Sequence, residues 1–351
     1  MNASLSYDLL KQAATNYGTP LYVYHAEKIA QQYQDLFNHF DSKTTRIFYA
    51  CKALTNIHIL DVVKRAGGNI DCSSINEAKL ALHVGFAPNQ VLYTSNSVSF
   101  EEICEAVSLG IYVNIDSLSN LEKFGAKFGN SYPVGVRVRP NIMAGGNLKI
   151  ATGHDKSKFG IPVSELAALK AIQTKYNIQI STLHIHTGSE IKDVKVFLQS
   201  ADVFEQLLAH FPTVTVLDFG GGFKVPYQPE EKGTDMALLG SEVNKVVAKL
   251  SEQFGRTFTA WFEPGKYIVS EAGYFIATVN VMKQSGDIQF AGLDTGLNHL
   301  IRPMFYDAYH YIDNLSHPEK PLQESAVVGN ICETDTFAWD RPIPTIEEGD
   351  F

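Results

Sequence analysis

Between residues 45 and 263 the chain alternates between short apolar runs and longer amphipathic ones, and this rhythm constrains the fold more than any other feature. Strand-like runs lie at 45–51, 69–72, 91–94, 111–115, 133–138, 179–186, 214–219 and 258–263. Helical patterns separate them at Ile57–Arg65, Ile75–Val84, Phe100–Leu109, Ser117–Phe128, Val163–Lys175, Val194–His210 and Asp235–Phe254. An unbroken apolar run suits a strand covered on both faces, as in a parallel sheet. Alternating strand and helix predicts such a sheet. Eight units over roughly 220 residues fit an α/β fold of the (β/α)8, TIM-barrel type, which ordinarily takes ~250 residues. A doubly wound open sheet is the competing arrangement, but the first strand–helix turn lacks the GxGxxG fingerprint that would favour it.

The flanks read differently. Residues 1–18 form an amphipathic helical pattern ending at Gly18, and Pro20–Tyr24 reads as a short strand. After Gly265, strand-like stretches at Tyr274–Lys283, Ile288–Leu293 and Ser325–Val328 are punctuated by Pro303, Pro318, Pro321, Pro342 and Pro344. The expected organisation is residues 1–25 joining a C-terminal β domain, a barrel over 26–266, and a mostly β domain over 267–351. A net charge of −9 with no basic run gives no support to a nucleic-acid partner. No apolar stretch is long enough to span a membrane, and Met1–Ser4 lacks a signal peptide's basic start. The four cysteines are scattered, so a reducing, cytoplasmic setting is expected.

Barrels of this kind carry their chemistry at the C-terminal ends of the strands. The first strand ends at Lys52, and burial there would lower the ammonium's pKa, as a Schiff-base lysine requires. A lysine merely reaching for solvent is the plain alternative. The second strand ends in Asp71–Ser74 with Glu77 beyond, the third runs into Ser95–Ser97, and the fifth ends in Arg137–Pro140. The sixth ends in His184–Ser189, the seventh in Asp218–Phe223 and the eighth in Glu263–Lys266. Gly220–Gly222 allows close backbone approach to an anion. With Gly265 it places two glycine turns in the loops that commonly hold phosphate in barrels. His184 and His186, two apart on one strand, would share a face. No third residue at metal-like spacing accompanies them, so no metal is expected. A flat imidazole can instead stack on a heteroaromatic ring. Glu263 needs a cationic partner. Lysine, ring-stacker, phosphate loops and a carboxylate for a protonated ring nitrogen together describe pyridoxal 5′-phosphate, PLP.

These residues resemble the fold-type III PLP-dependent decarboxylases, the alanine racemase-like barrels with an added β domain, and within them the diaminopimelate decarboxylase branch. The resemblance rests on Tyr49–Ala53, His184–Ser189, Gly220–Phe223, Glu263–Lys266, Arg302–Tyr306 and Ile331–Thr334, in that order along nearly the whole chain. Asp155–Gly160 also matches a loop of that family. The resemblance implies that Lys52 carries the cofactor covalently, with Asp71 nearby, His186 stacked on its ring and Glu263 at its nitrogen. Ser189, Gly221, Gly222 and Gly265 would hold the phosphate. Cys332 would be the general acid, donated across a homodimer interface. Lys266, Arg302, Tyr306 and Glu333 would hold the distal end of a small amino-acid substrate. The implied reaction decarboxylates meso-2,6-diaminopimelate to L-lysine, the last step of lysine biosynthesis.

Two departures stand out. The family usually has Arg where this chain has Lys266, which keeps the charge but not the bidentate fork. Family members also continue past the point that corresponds to Phe351, so the β domain is expected to be incomplete. Rival readings are another amino-acid or polyamine decarboxylase, since Asp71–Ser74 with Glu77 resembles the ornithine type, or a non-enzymatic PLP-binding barrel. Arg302 favours a substrate with a distal carboxylate over a diamine-forming one.

Overall fold

The computed structural model describes residues 5–140, 142, 157–228 and 230–351. Asp155 and Lys156 of the family-like loop, and Met1–Ser4, lie outside the described residues. The chain forms two compact units: Ala26–Val225 with Lys232–Glu271, and Met1–His25 with Pro226–Glu231 and Ala272–Phe351.

The first unit is a closed parallel barrel. Its strands are β1 (Thr45–Ala50), β2 (Asn69–Cys72), β3 (Val91–Thr94), β4 (Tyr112–Ile115), β5 (Val134–Arg139), β6 (Ile180–His184), β7 (Val216–Asp218) and β8 (Thr259–Phe262). Each pairs with its sequence neighbours, β4 pairs with β5, and β8 returns to β1. Closure removes the open edge of the doubly wound alternative. The strands are covered on both sides: in β1 every residue but Arg46 is buried. The sequence set helix starts as well as strands. Asn56, Ser74, Ser99, Ser117, Asp193 and Asp235 each accept a backbone N–H in the first turn of the following helix, satisfying donors that the helix itself cannot.

At its N-terminal end the barrel is plugged. The Arg46 guanidinium lies 5.2 Å from the Phe48 ring centre, 5.7 Å from Tyr112 and 5.5 Å from Trp261. It also donates to Asn69 Oδ1 and the Asn89 carbonyl. The interior at that end is filled by side chains, as in other barrels, which leaves the opposite end for a site.

In the second unit, Leu21–Tyr24 pairs antiparallel with Gly273–Ile276. Val279–Ser285, Ile288–Leu293, Leu322–Val328 and Thr336–Pro344 form a four-stranded sheet in that order. The single run expected at 274–283 is therefore two strands in two sheets. The switch comes at Thr278, whose N–H donates to the Asp294 carboxylate rather than to a strand.

Candidate active site

The loops that follow the strands are stitched together by backbone bonds. The Ala50 N–H donates to the Pro264 carbonyl, Glu263 N–H to Gly220, Phe219 N–H to Trp261 and Ile191 N–H to Gly222. These bonds hold the strand ends around a cavity of about 170 Å³ lined by Lys52, His186, Ser189, Gly222, Glu263 and Gly265, with Lys266 at its edge. Seven expected residues from four strand ends thus share one space. Asp71 stands behind them, fully buried, with Oδ2 3.4 Å from Lys52 Nζ.

Glycine is required here for steric reasons. A Cβ on Gly221 would sit 2.1 Å from the Glu263 carbonyl oxygen, and one on Gly222 would sit 2.0 Å from that of Gly188. Gly222 also has φ +95°, a region that side chains disfavour. The Gly221 N–H points to His186 Nδ1 at 3.2 Å. That bond requires Nδ1 to be unprotonated, in keeping with burial and the charges of Arg137 and Lys52, which hold the imidazole well below its usual pKa. His186 is thus a neutral, oriented, flat ring. Strand β6 ends at His184, so His186 lies in the loop beyond and owes its orientation to Gly221 rather than to strand alternation.

Glu263 is gripped by a chain of donors. Asn114 Nδ2 donates to Thr94 Oγ1 at 3.1 Å, and that hydroxyl donates to Glu263 Oε1 at 3.1 Å. His184 Nε2 lies 3.4 Å from Oε2. Burial alone would raise the pKa of Glu263, but His184 and Lys52 outweigh it and hold the carboxyl well below the usual range. A buried carboxylate is therefore kept ionised.

The expectation that burial lowers the pKa of Lys52 is overturned. Burial does pull it down, but the negative charges of Asp71 and Glu263 outweigh that, and the net shift is upward. Asp71 is raised to about 7 by burial and by Glu263, against the pull of Lys52. The lysine was read as an isolated ammonium in an apolar strand. The fold surrounds it with carboxylates from other strands.

The spacing argument against a third metal-like group also fails in space. His184, Asp218 and Glu263 bring one ligand atom each within 4.8 Å of one another. Asp218 Oδ1 accepts the Gly220 N–H at 2.9 Å and Glu263 Oε1 accepts from Thr94, while His184 makes only the 3.4 Å contact with Glu263. Lys266 pairs with Glu190, which also lies 3.7 Å from Lys224. Glu190 has φ +62°, an uncommon conformation for a residue with a side chain. Thr94, Asn114, Arg137, Asp218 and Glu190 were not singled out for roles from the sequence. Strand-end position was the only available signal for Arg137 and Asp218.

The lining suits each part of PLP: an amine for the aldehyde, a neutral flat ring for the pyridine face, an ionised carboxylate for a ring N–H. A serine and close-packed glycines lie beside them for a phosphate.

The remaining expected residues belong to the other unit. Arg302 opens a short helix, Arg302–Tyr306, with its guanidinium 5.1 Å from the Tyr227 ring and 6.0 Å from Tyr306. Cys332 and Glu333 are exposed.

A family model described as "Pyridoxal-dependent decarboxylase, pyridoxal binding domain" matches residues 26–270. The chain belongs to the pyridoxal-dependent decarboxylases. It is similar to a diaminopimelate decarboxylase of Methanothermobacter thermautotrophicus, 35% identical over 97% of this chain and 81% of that protein. It is 32% identical to one of Aquifex aeolicus, over 97% and 82%. A crystal structure of diaminopimelate decarboxylase superimposes with TM-score 0.91 at 28% identity, covering all of this chain and 86% of the other. One from Helicobacter pylori, complexed with L-lysine, gives 0.87 at 29%, covering 98% and 86%. The chain is thus a PLP-dependent decarboxylase of the diaminopimelate decarboxylase type, with the barrel and mostly β sheet of that group.

Proposed function

We infer that this protein decarboxylates meso-2,6-diaminopimelate to L-lysine with PLP as cofactor. The observation that carries the reading is the cavity itself. An amine, an ionised carboxylate and a neutral ring face a glycine-lined end, in a chain 35% identical to a diaminopimelate decarboxylase. The family match and the chemistry of the lining support PLP in this cavity.

Bound there, PLP supplies an electron sink for the pair left on the α-carbon when CO₂ departs. The residues around it do the rest. Lys52 would hold the cofactor through its amine, with Asp71 beside its Nζ. His186 covers one ring face. Glu263, kept ionised, favours a protonated ring nitrogen. Ser189, Gly221, Gly222 and Gly265 hold the phosphate by backbone and hydroxyl donors, with Lys266 adding positive charge. Cys332 Sγ would supply the proton that replaces CO₂ on the α-carbon, and its exposure suits donation to a neighbouring subunit in a homodimer. Arg302, Tyr306 and Glu333 hold the far amine and carboxylate of the substrate. A place in lysine biosynthesis follows from the product. The four free thiols suit a reducing cytoplasm.

The test is turnover with PLP added. Diaminopimelate should release CO₂ and yield lysine, while ornithine and lysine, which lack a second carboxylate, should be poor substrates. Arg302→Ala should lower diaminopimelate turnover by about tenfold or more, as loss of a charge-assisted contact does. Preference for ornithine, or an unchanged Arg302→Ala, would overturn the assignment.

A further inference from the structure

The strand register lays a row of ionisable groups across the barrel interior. Arg137 on β5 stands level with His184 on β6, and His184 stands level with Asp218 on β7. All three are buried. Glu263, just past β8, completes the group within 4.8 Å of both His184 and Asp218.

Asp218, like Arg137, has no role in the reaction as described. Its side chain is fully buried. Oδ1 accepts the Gly220 N–H, while among the described residues no N–H or O–H donor reaches Oδ2. An ionised carboxylate so placed would leave a charged oxygen bare beside a second carboxylate, which is costly. Two carboxylates this close hold one proton between them. Glu263 has the Thr94 hydroxyl and His184 to sustain its charge, whereas Asp218 has a single backbone donor. The proton therefore belongs on Asp218.

We propose that Asp218 is a positioning residue, a neutral acid whose Oδ2 hydroxyl donates to Glu263 and so keeps that carboxylate ionised and turned toward the cavity. The groups facing the pair agree. Lys52 and Arg137 supply two positive charges and Asp71 and Glu263 two negative ones, while burial lowers the pKa of His184 and His186 and Glu263 raises it. Asp116, half-buried and bonded by Asn96, also acts on Arg137. A further ionised carboxylate among them would have no counter-charge. Burial and Glu263 accordingly push Asp218 well above the usual carboxylate range. The proposal rests on the assignment of Glu263 to the cofactor's ring nitrogen, and its test separates the two.

The full-length protein is examined by infrared spectroscopy at pH 9, with and without PLP. Asp71, with a pKa of about 7, is then largely ionised. A carboxylic-acid C=O band should be present in the wild type, and absent in Asp218→Asn. That substitution keeps an acceptor for Gly220 and an N–H for Glu263, so it should restore most of the PLP affinity that Asp218→Ala loses. The loss in Asp218→Ala should be about tenfold or more in Kd. As pH rises through the disappearance of the acid band, PLP affinity should fall in the wild type but not in Asp218→Asn. If Asp218→Ala does not fold, the band and this pH comparison decide. No acid band in the wild type, or Asp218→Asn binding PLP as poorly as Asp218→Ala, would overturn the proposal. PLP attached elsewhere than Lys52 would instead overturn the cofactor assignment, leaving the band in cofactor-free protein as the test of Asp218.

Discussion

Thr94→Val removes one hydroxyl and leaves the shape of the side chain nearly unchanged. In the folded protein that hydroxyl does two things: it donates to the ionised Glu263 at 3.1 Å and accepts from Asn114 Nδ2 at 3.1 Å. Thr94, Asn114 and Glu263 are all buried. A hydrogen bond to a charged group contributes about 1.5–3 kcal/mol, and a stranded buried donor costs about 1–3 kcal/mol. Both effects arise from one atom and do not simply add, so a loss of about 2–4 kcal/mol is expected. Urea unfolding followed by Trp261 fluorescence reads it. Trp261 is buried in the barrel, while Trp339, the other tryptophan, is exposed in the second unit. Thr94→Ser is the control, since it keeps the hydroxyl and loses only a methyl, about 1 kcal/mol. The pH dependence has a definite sign. The pKa of Glu263 is depressed in the folded state, so its stabilisation is full above the ordinary glutamate pKa of ~4.3 and is lost as pH falls. The Thr94→Val deficit should therefore be complete at pH 7 and narrow in acid. Equal midpoints for Thr94→Val and Thr94→Ser at pH 7 would refute the idea that a hydroxyl chain sustains the Glu263 charge.

Two further outcomes are expected. Borohydride reduction of the PLP-loaded protein, followed by peptide mapping, should find the cofactor on Lys52; finding it on Lys64 or Lys158 would displace the site. Mixing inactive Lys52→Ala with inactive Cys332→Ala should restore some turnover through hybrid dimers; no recovery, with subunit exchange shown separately, would mean each site is built within one chain.

Much of the barrel was legible before any coordinates. Short apolar runs between amphipathic ones carry their own period, and caps such as Asn56 and Ser74 act within three residues. Both are local properties that survive in the bare sequence. Strand ends were equally readable, which is why Lys52, Ser189, Gly222, Glu263 and Gly265 could be gathered before their distances were known. Runs near the sheet switch at Thr278 were not, because continuous β propensity says nothing about which sheet a strand joins.

What the sequence determined by itself is therefore the periodicity, the helix starts and the chemistry offered at each strand end. What only the tertiary structure decided is the charge state of that chemistry. The lysine's raised pKa depends on Asp71 from the next strand and on Glu263, 211 positions away in the chain. The neutrality of His186 depends on burial and on the charges of Arg137 and Lys52 from other strands, and the Thr94–Glu263 bond spans 169 positions. Electrostatic interactions fall off with distance in space, not along the chain. Closure of the barrel and the register of its strands set those distances, and neither is written in any local stretch of residues.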